Sequence, residues 1–172
     1  MKKLSLLICF LFSAVYGLAN IKRLPDWFVK SFNQQRLNLK YQLSSDAKSI
    51  INIDFNGDRK NDIAVLIVDI KSKKRGILIL NQGQNQYYIF GAGNKFRGES
   101  FDNTNWVKGW RLYTKKIAYE SLFNKDGDII AGRKIHLKQP AIYAFSLEDG
   151  EENAGVLIYW GGIDFKSIHQ GE

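Results

Sequence analysis

Residues 49–70 have the sequence SIINIDFNGDRKNDIAVLIVDI. Two apolar runs rich in β-branched residues, 49–53 and 63–70, flank a polar loop. Isoleucine and valine favour strands because their branched side chains pack well on a pleated surface. The second run is continuous enough for a central strand. The stretch therefore predicts two neighbouring strands joined by a loop that has its own chemistry.

The polar loop, residues 54–62, places oxygen-bearing side chains at its first, third, fifth and ninth positions. These are Asp54, Asn56, Asp58 and Asp62, and the backbone carbonyl of Lys60 would stand at the seventh. A hard cation such as calcium needs about six to eight oxygen ligands at short range, which this spacing can supply. The same residues can also form a turn in which Asp and Asn side chains accept hydrogen bonds from backbone amides. Both interpretations stay open on the sequence.

The loop resembles the calcium loops of integrin-type FG-GAP and VCBS repeats, which follow the pattern Asp-x-Asn-x-Asp-Gly-x-x-Asp between two strands. The resemblance covers the loop and the start of the next strand, and the pattern occurs once in the chain. It implies a calcium ion held by the four side chains and the seventh carbonyl. The sixth position is Arg59 where glycine is common, so a looser turn is expected, because positive φ costs a side chain about 1 kcal/mol or more. An EF-hand matches less well, since Val65 stands where its twelfth residue would be Glu.

The amino terminus predicts a secretory signal peptide. Lys2 and Lys3 precede a short apolar run, residues 4–15, and residues 17–19 offer the small-x-small pattern that signal peptidase cleaves. The run is shorter than the ~20 apolar residues of a membrane span. Cleavage before Asn20 is expected, which predicts a periplasmic or secreted protein with no membrane span after signal removal.

Removal of the signal peptide, residues 1–19, leaves a single domain, residues 20–172. Cys9 is the only cysteine of the chain, so disulfides and thiolate metal sites are excluded from the mature domain. The full sequence carries a formal net charge of +8, and the signal peptide contributes two lysines and no acid, which leaves +6. The basic residues are spread along the chain, which is typical of an ordinary solvated surface, but such a charge can also favour an acidic partner or an anionic surface. Nucleic acid is not expected as a partner, because no nucleic-acid module is visible.

Residues 24–39 predict a helix, because their apolar residues recur near a 3.6-residue period. Pro25 suits the first turn, and Asp26 beside it suits the helix start. The apolar stripe is expected to pack on a sheet. Its members are Leu24, Trp27, Phe28 and Phe32.

The rest of the chain predicts strands joined by short polar turns, without βαβ alternation. The expected fold class is α+β and sheet-dominated, an antiparallel meander of about nine strands with one amino-terminal helix. The candidate strand segments are residues 49–54, 63–70, 76–80, 86–90, 111–117, 118–123, 129–137, 141–147, 155–160 and 164–169.

An irregular segment, residues 91–110, interrupts the strand pattern. Long irregular segments in compact domains are often functional. Aromatic side chains with basic neighbours can anchor a protein interface or stack on a sugar ring. We therefore expect a recognition surface made of Trp106, Lys108, Trp110 and Arg111.

These features favour an exported, non-catalytic binding protein with a structural calcium loop. Its partner would be another protein or an envelope polymer, as for an inhibitor, an immunity-type protein or an envelope accessory protein. One alternative is a hydrolase that acts on an envelope polymer, with a site built from scattered acids and His136 or His169. Another is a glycan-binding module that uses Trp106 and Trp110. The question of enzymatic activity stays open on the sequence.

Calcium is expected to raise the melting temperature of the mature protein. Asp58→Ala is expected to abolish the rise, because it removes the ligand at the fifth position. At a calcium concentration ~100-fold above the Kd, binding stabilises the fold by about 2.7 kcal/mol. Thermal unfolding with calcium and with a chelator measures the effect. An unchanged melting curve in millimolar calcium contradicts the prediction.

Overall fold

The structure is a computed structural model, and it describes residues 24–44, 49–95 and 101–170. The predicted signal peptide, residues 1–19, lies outside the described residues. Among the residues that are described, no helix combines the length and apolar character needed to cross a bilayer.

One α-helix and eleven strands make up the described part of the chain. The helix, α1, spans Asp26–Gln34, and a short 3₁₀ helix, Leu37–Leu39, follows it. The strands are β1 Tyr41–Leu43, β2 Ile50–Ile53, β3 Asp62–Asp69, β4 Arg75–Leu80, β5 Tyr87–Gly91, β6 Gly109–Tyr113, β7 Ile117–Phe123, β8 Ile129–His136, β9 Ala141–Glu148, β10 Glu151–Trp160 and β11 Phe165–Gln170.

The strands form two sheets and a separate hairpin, with antiparallel pairing throughout. In the first sheet, β3 pairs on one side with β4, which in turn pairs with β5. On its other side β3 pairs with β1 and β2, each along a different half of its length. The second sheet has the order β11-β10-β9-β6, and the hairpin consists of β7 and β8.

Strand β3 has apolar side chains on both faces, which explains its position inside the first sheet. Ile63, Val65 and Ile67 belong to the core that α1 covers, together with Phe28 of the helix. Ala64 belongs to the core between the two sheets. Successive side chains of a strand point to opposite faces, so one apolar run supplies two separate cores.

The core between the sheets draws on both sheets and on the polar loop. Ile79 of β4 shares this core with Ile142 of β9 and Ile158 of β10. Phe55, from the loop, is fully buried in it and meets the ring of Phe165 edge-on, with centroids 6.2 Å apart. Burial of a Phe side chain is worth about 1.5–3 kcal/mol, so Phe55 anchors the loop to the sandwich.

The outer face of the second sheet is also apolar, and the hairpin covers it. Leu157 and Ile168 of this sheet form a third core with Ala118 of β7. Strand β8, by contrast, is exposed along nearly its whole length. The domain is therefore layered in the order α1, first sheet, second sheet and hairpin.

The predicted fold class is confirmed in its main features, since the domain is sheet-dominated and antiparallel with one α-helix. The strand number is eleven among the described residues and not about nine; β1 has three residues, too few to show alternation. The predicted helix over residues 24–39 is also too long. It ends at Gln34 because Arg36 adopts a left-handed backbone conformation, with φ at 57°.

Gly109→Ala is expected to lower the free energy of unfolding by about 1–3 kcal/mol. A Cβ atom at Gly109 would lie 2.4 Å from Cζ of Phe145 on the neighbouring strand β9, so the ring must move. Chemical denaturation measures the loss. Combining the change with Phe145→Leu should recover part of it, because the smaller side chain opens the space.

Gly132→Ala in β8 is the matched control, since no atom lies within 4 Å of a Cβ built there. This change should leave stability unchanged or raise it slightly, because alanine restricts the unfolded chain. Equal destabilisation by the two alanines would contradict the close contact between β6 and the Phe145 ring.

Candidate functional site

The Asp54 loop, residues 54–62, is wound tightly by hydrogen bonds from its own backbone. The carboxylate of Asp54 accepts the N–H of Gly57 at Oδ1 (2.6 Å) and the N–H of Arg59 at Oδ2 (2.8 Å). Arg59 has a φ of 68°, the left-handed conformation that glycine adopts most easily. The expectation of a looser turn is therefore wrong: the turn is tight, and the positive φ of Arg59 costs about 1 kcal/mol or more of backbone strain.

The next two predicted ligands, Asn56 and Asp58, also accept hydrogen bonds from the loop backbone. Oδ1 of Asn56 accepts the N–H of Asp58, and Oδ1 of Asp58 accepts the N–H of Lys60, each at 2.9 Å. Such short-range bonds are Asx turns, which hold a tight turn without a regular element. Nδ2 of Asn56 is buried and has no hydrogen-bond partner among the described residues.

Asp62, at the start of β3, is fully buried. Its two oxygens accept the N–H groups of Phe55 and Gln82, each at 3.0 Å, so one carboxylate joins the loop to the turn after β4. The pKa of Asp62 is raised to about 6, first by burial and then by the charges of Asp58 and Asp54, which together outweigh the two amide hydrogen bonds.

The predicted calcium ligands lie on one tight loop, but each of the four side chains already accepts a backbone N–H at one oxygen or at both. Within residues 24–44, 49–95 and 101–170, no group of three or more His, Cys, Asp or Glu side chains is placed to hold a metal ion. The hydrogen-bonded turn, the alternative interpretation of the sequence, describes this arrangement. Each carboxylate oxygen keeps a second lone pair, and a cation would offset the charge repulsion at Asp62. The donor chemistry therefore fits calcium, which stays a prediction.

The four predicted recognition residues do not form one surface. Trp106 and Trp110 are half-buried and pack against the core between the sheets. Arg111, the next residue of β6, lies on the opposite face of the second sheet, over the ring of Tyr143. Lys108 is exposed just before the strand. Strand alternation separates Trp110 from Arg111, and Trp106 and Lys108 precede β6.

Arg111 instead belongs to a groove of about 770 Å³ on the outer face of the second sheet, beside β7. Its guanidinium donates to both carboxylate oxygens of Glu152, at 3.2 and 2.6 Å, and lies 4.9 Å from the ring centroid of Tyr143. These hydrogen bonds hold the pKa of Glu152 below its ordinary value. The Arg111 groove is lined by Arg111, Tyr113, Lys115, Lys116, Ile117, Tyr119, Tyr143, Glu152 and Gln170.

Two smaller cavities each contain one of the two histidines. The Trp106 cavity, of about 340 Å³, includes His169, whose ring lies edge-on to Phe101 and Phe123. The Asn56 cavity, of about 380 Å³, is lined by Asn56, Ile135, His136, Lys138, Gln139, Tyr159, Trp160, Gly161, Gly162 and Lys166. No acidic residue of the described chain lines either cavity.

Most residues of the Arg111 groove carry no local signal in the sequence, because they come from five strands and one turn. Only Arg111 was among the predicted recognition residues. Tyr113 could have been placed beside it, since residues two apart on a strand share a face. The contribution of β9 and β10 depends on strand pairing, which the sequence does not reveal.

Comparison of the chain with known protein families, curated proteins and solved structures found no match. The resemblance to FG-GAP and VCBS loops stays a resemblance of residues 54–62 and the start of β3. Function is therefore inferred from the geometry of the chain itself.

Asp62→Asn is expected to remove a pH dependence of stability between about pH 4 and pH 6. The pKa of Asp62 is about 6 in the folded protein against an ordinary value of 3.8. The folded state therefore binds more protons in this range, and stability falls as the pH rises. The difference corresponds to about 3 kcal/mol. Urea unfolding of both proteins at a series of pH values, in chelator, measures it.

Asp69→Asn serves as a control of opposite sign. A hydrogen bond from the backbone N–H of Ser72 is the main cause that holds the pKa of Asp69 below its ordinary value. Its contribution to stability is therefore present at neutral pH and is lost only in acid, as the pH falls below that ordinary value. If the free energies of unfolding of the wild type and of Asp62→Asn changed in parallel between about pH 4 and pH 6, the raised pKa of Asp62 would be contradicted.

Proposed function

We propose that this chain is an exported, non-catalytic binding protein whose Arg111 groove holds an acidic segment of another exported protein. The observation that supports this best is the groove itself, a concave surface of about 770 Å³ lined by tyrosine rings and basic side chains. Its volume lies in the range typical of ligand sites, about 300–1,000 Å³. It is also the largest of the three concave sites described above.

The charge of the groove favours an acidic ligand. Arg111, Lys115 and Lys116 line it against a single carboxylate, that of Glu152. A concave surface with a surplus of one charge raises the local concentration of oppositely charged ligands and speeds their association. The basic net charge of the mature domain acts in the same direction.

The residue types of the groove favour a protein partner. Tyrosine and arginine supply most of the binding energy at protein interfaces. Tyr119 is 61% exposed at the edge of the groove. Arg111 is already held by Glu152 and Tyr143, so binding would cost it little side-chain freedom.

The hairpin that borders the groove also exposes apolar side chains. Phe123, Ile129 and Ile130 are 44%, 56% and 64% exposed. Exposed apolar side chains that cluster beside charged ones are typical of protein interaction sites. These side chains belong to the same hairpin whose strand β7 supplies Ile117 and Tyr119 to the groove.

In this proposal calcium stiffens the Asp54 loop and takes no part in a reaction. The ion would be held by Asp54, Asn56, Asp58, Asp62 and the carbonyl of Lys60. The loop packs against the connection between β8 and β9, because a Cβ atom at Gly57 would lie 2.3 Å from Nε2 of Gln139. A stiffer loop would therefore support the base of the hairpin and, through it, one wall of the groove.

The predicted signal peptide, residues 1–19, supports export to the periplasm or the exterior. The geometry gives less support to the two alternatives, a hydrolase and a glycan-binding module. His136 and His169 line different cavities, and no carboxylate of the described chain lines either one. Trp106 lines the Trp106 cavity and Trp110 does not, so the two rings do not form a shared platform for a sugar there.

Affinity capture from envelope extract, with calcium and with a chelator, tests the proposal. The wild-type protein and variants with substitutions in the groove are compared as bait. Arg111→Ala and Tyr119→Ala are each expected to weaken capture of the partner about 30-fold or more, because hot-spot residues are worth about 2 kcal/mol or more. Quantitative binding of the captured protein to each variant measures the loss.

Arg133→Ala is the matched control. Arg133 also donates to a carboxylate, that of Glu120 (2.6 Å), but it does not line the groove. This variant should bind like the wild type. Equal binding by all three variants, or a captured partner without acidic segments, would contradict the proposal.

A further inference from the structure

We propose that the Asn56 cavity binds a small sugar that carries a phosphate-like oxyanion. The cavity shares no lining residue with the Arg111 groove, so this proposal and the proposed function can fail separately. Its volume of about 380 Å³ is at the small end of ligand sites, which suits a single ring with one charged group.

The basic residues of the cavity favour an anion. Lys138 comes from the connection between β8 and β9, Lys166 from β11, and His136 from the end of β8. Neither lysine forms an ion pair with a described residue. The stem of Lys166 runs close to Gly161, because a Cβ atom built there would lie 2.7 Å from its Cε. Separate elements thus bring basic groups to one concave site, and no carboxylate of the described chain lines it.

Asn56 adds a neutral hydrogen-bond donor. Its Oδ1 accepts the N–H of Asp58, which fixes the orientation of the amide. Its Nδ2 is buried and has no partner within the described part of the chain. A buried donor without a partner costs about 1–3 kcal/mol. An oxyanion oxygen within reach of Nδ2 would remove this cost and would also interact with the two lysines.

One aromatic side chain favours a ring next to the oxyanion. Trp160 lines the cavity and is half-buried, whereas Tyr159, its neighbour on β10, packs on the opposite face of the sheet. The Trp160 ring is fixed by edge-on contacts with Phe165 and Tyr88, at centroid distances of 5.2 and 6.1 Å. Gly162, which follows, leaves open space at its Cβ position. A flat apolar surface beside basic groups matches a sugar phosphate better than a bare ion.

Isothermal titration calorimetry in metal-free buffer tests the site with three probes: glucose 6-phosphate, inorganic phosphate and glucose. Glucose 6-phosphate should bind most tightly, inorganic phosphate more weakly, and glucose not measurably. If glucose 6-phosphate and inorganic phosphate bound with equal affinity, the site would recognise the phosphate ion alone, and the proposal of a sugar ligand would be overturned. Absence of heat with both phosphates at millimolar concentration would overturn the site.

Asn56→Asp is the most specific variant, since it replaces the donor with a charged acceptor and retains an oxygen at the third position of the loop. It should weaken binding of glucose 6-phosphate at least about tenfold. Lys138→Gln should have a similar effect and is independent of the loop. Lys134→Gln, on β8 but outside the cavity, should bind like the wild type. Unchanged affinity in both cavity variants would overturn the proposal.

Discussion

Strand β3 is apolar on both faces, and this constraint orders the rest of the domain. Ile63 and Val65 require cover on one side, which α1 supplies, and Ala64 requires it on the other, which the second sheet supplies. The second sheet then has an apolar outer face of its own at Leu157, which the hairpin covers. Each layer exists because the previous one leaves apolar surface that water would otherwise contact. The concave sites lie where these layers meet incompletely.

The sequence predicts the parts of the fold that depend on local pattern. The isoleucine and valine run of β3, the stripe of Phe28 and Phe32, and the short polar turns all predict elements that the structure contains. Strand pairing is not local, so the division into two sheets and a hairpin could not be read from the pattern. The predicted recognition surface failed for a local reason: β6 begins at Gly109 and not at Arg111, so Trp110 and Arg111 are strand neighbours that point to opposite faces.

The Asp54 loop shows a different limit of sequence analysis. Asp and Asn side chains are suited both to hard cations and to backbone amides, because both interactions use the same oxygens. The same spacing of Asp and Asn residues therefore suits two structures: a loop that coordinates a cation, and a turn closed by hydrogen bonds from its own backbone N–H groups. The raised pKa of the buried Asp62 comes first from burial and only then from the charges of Asp58 and Asp54, so it is compatible with both arrangements.

Strand β8 has a consequence that reaches beyond a single molecule. No described strand pairs with its outer side, so a row of backbone donors and acceptors faces solvent. Such an edge can pair with a strand of another copy, and charged side chains on the edge commonly prevent this pairing. Arg133 and Lys134 together place two positive charges on this strand, and like charges on two copies repel each other. Because salt screens such repulsion, high ionic strength would favour pairing of two copies along this edge.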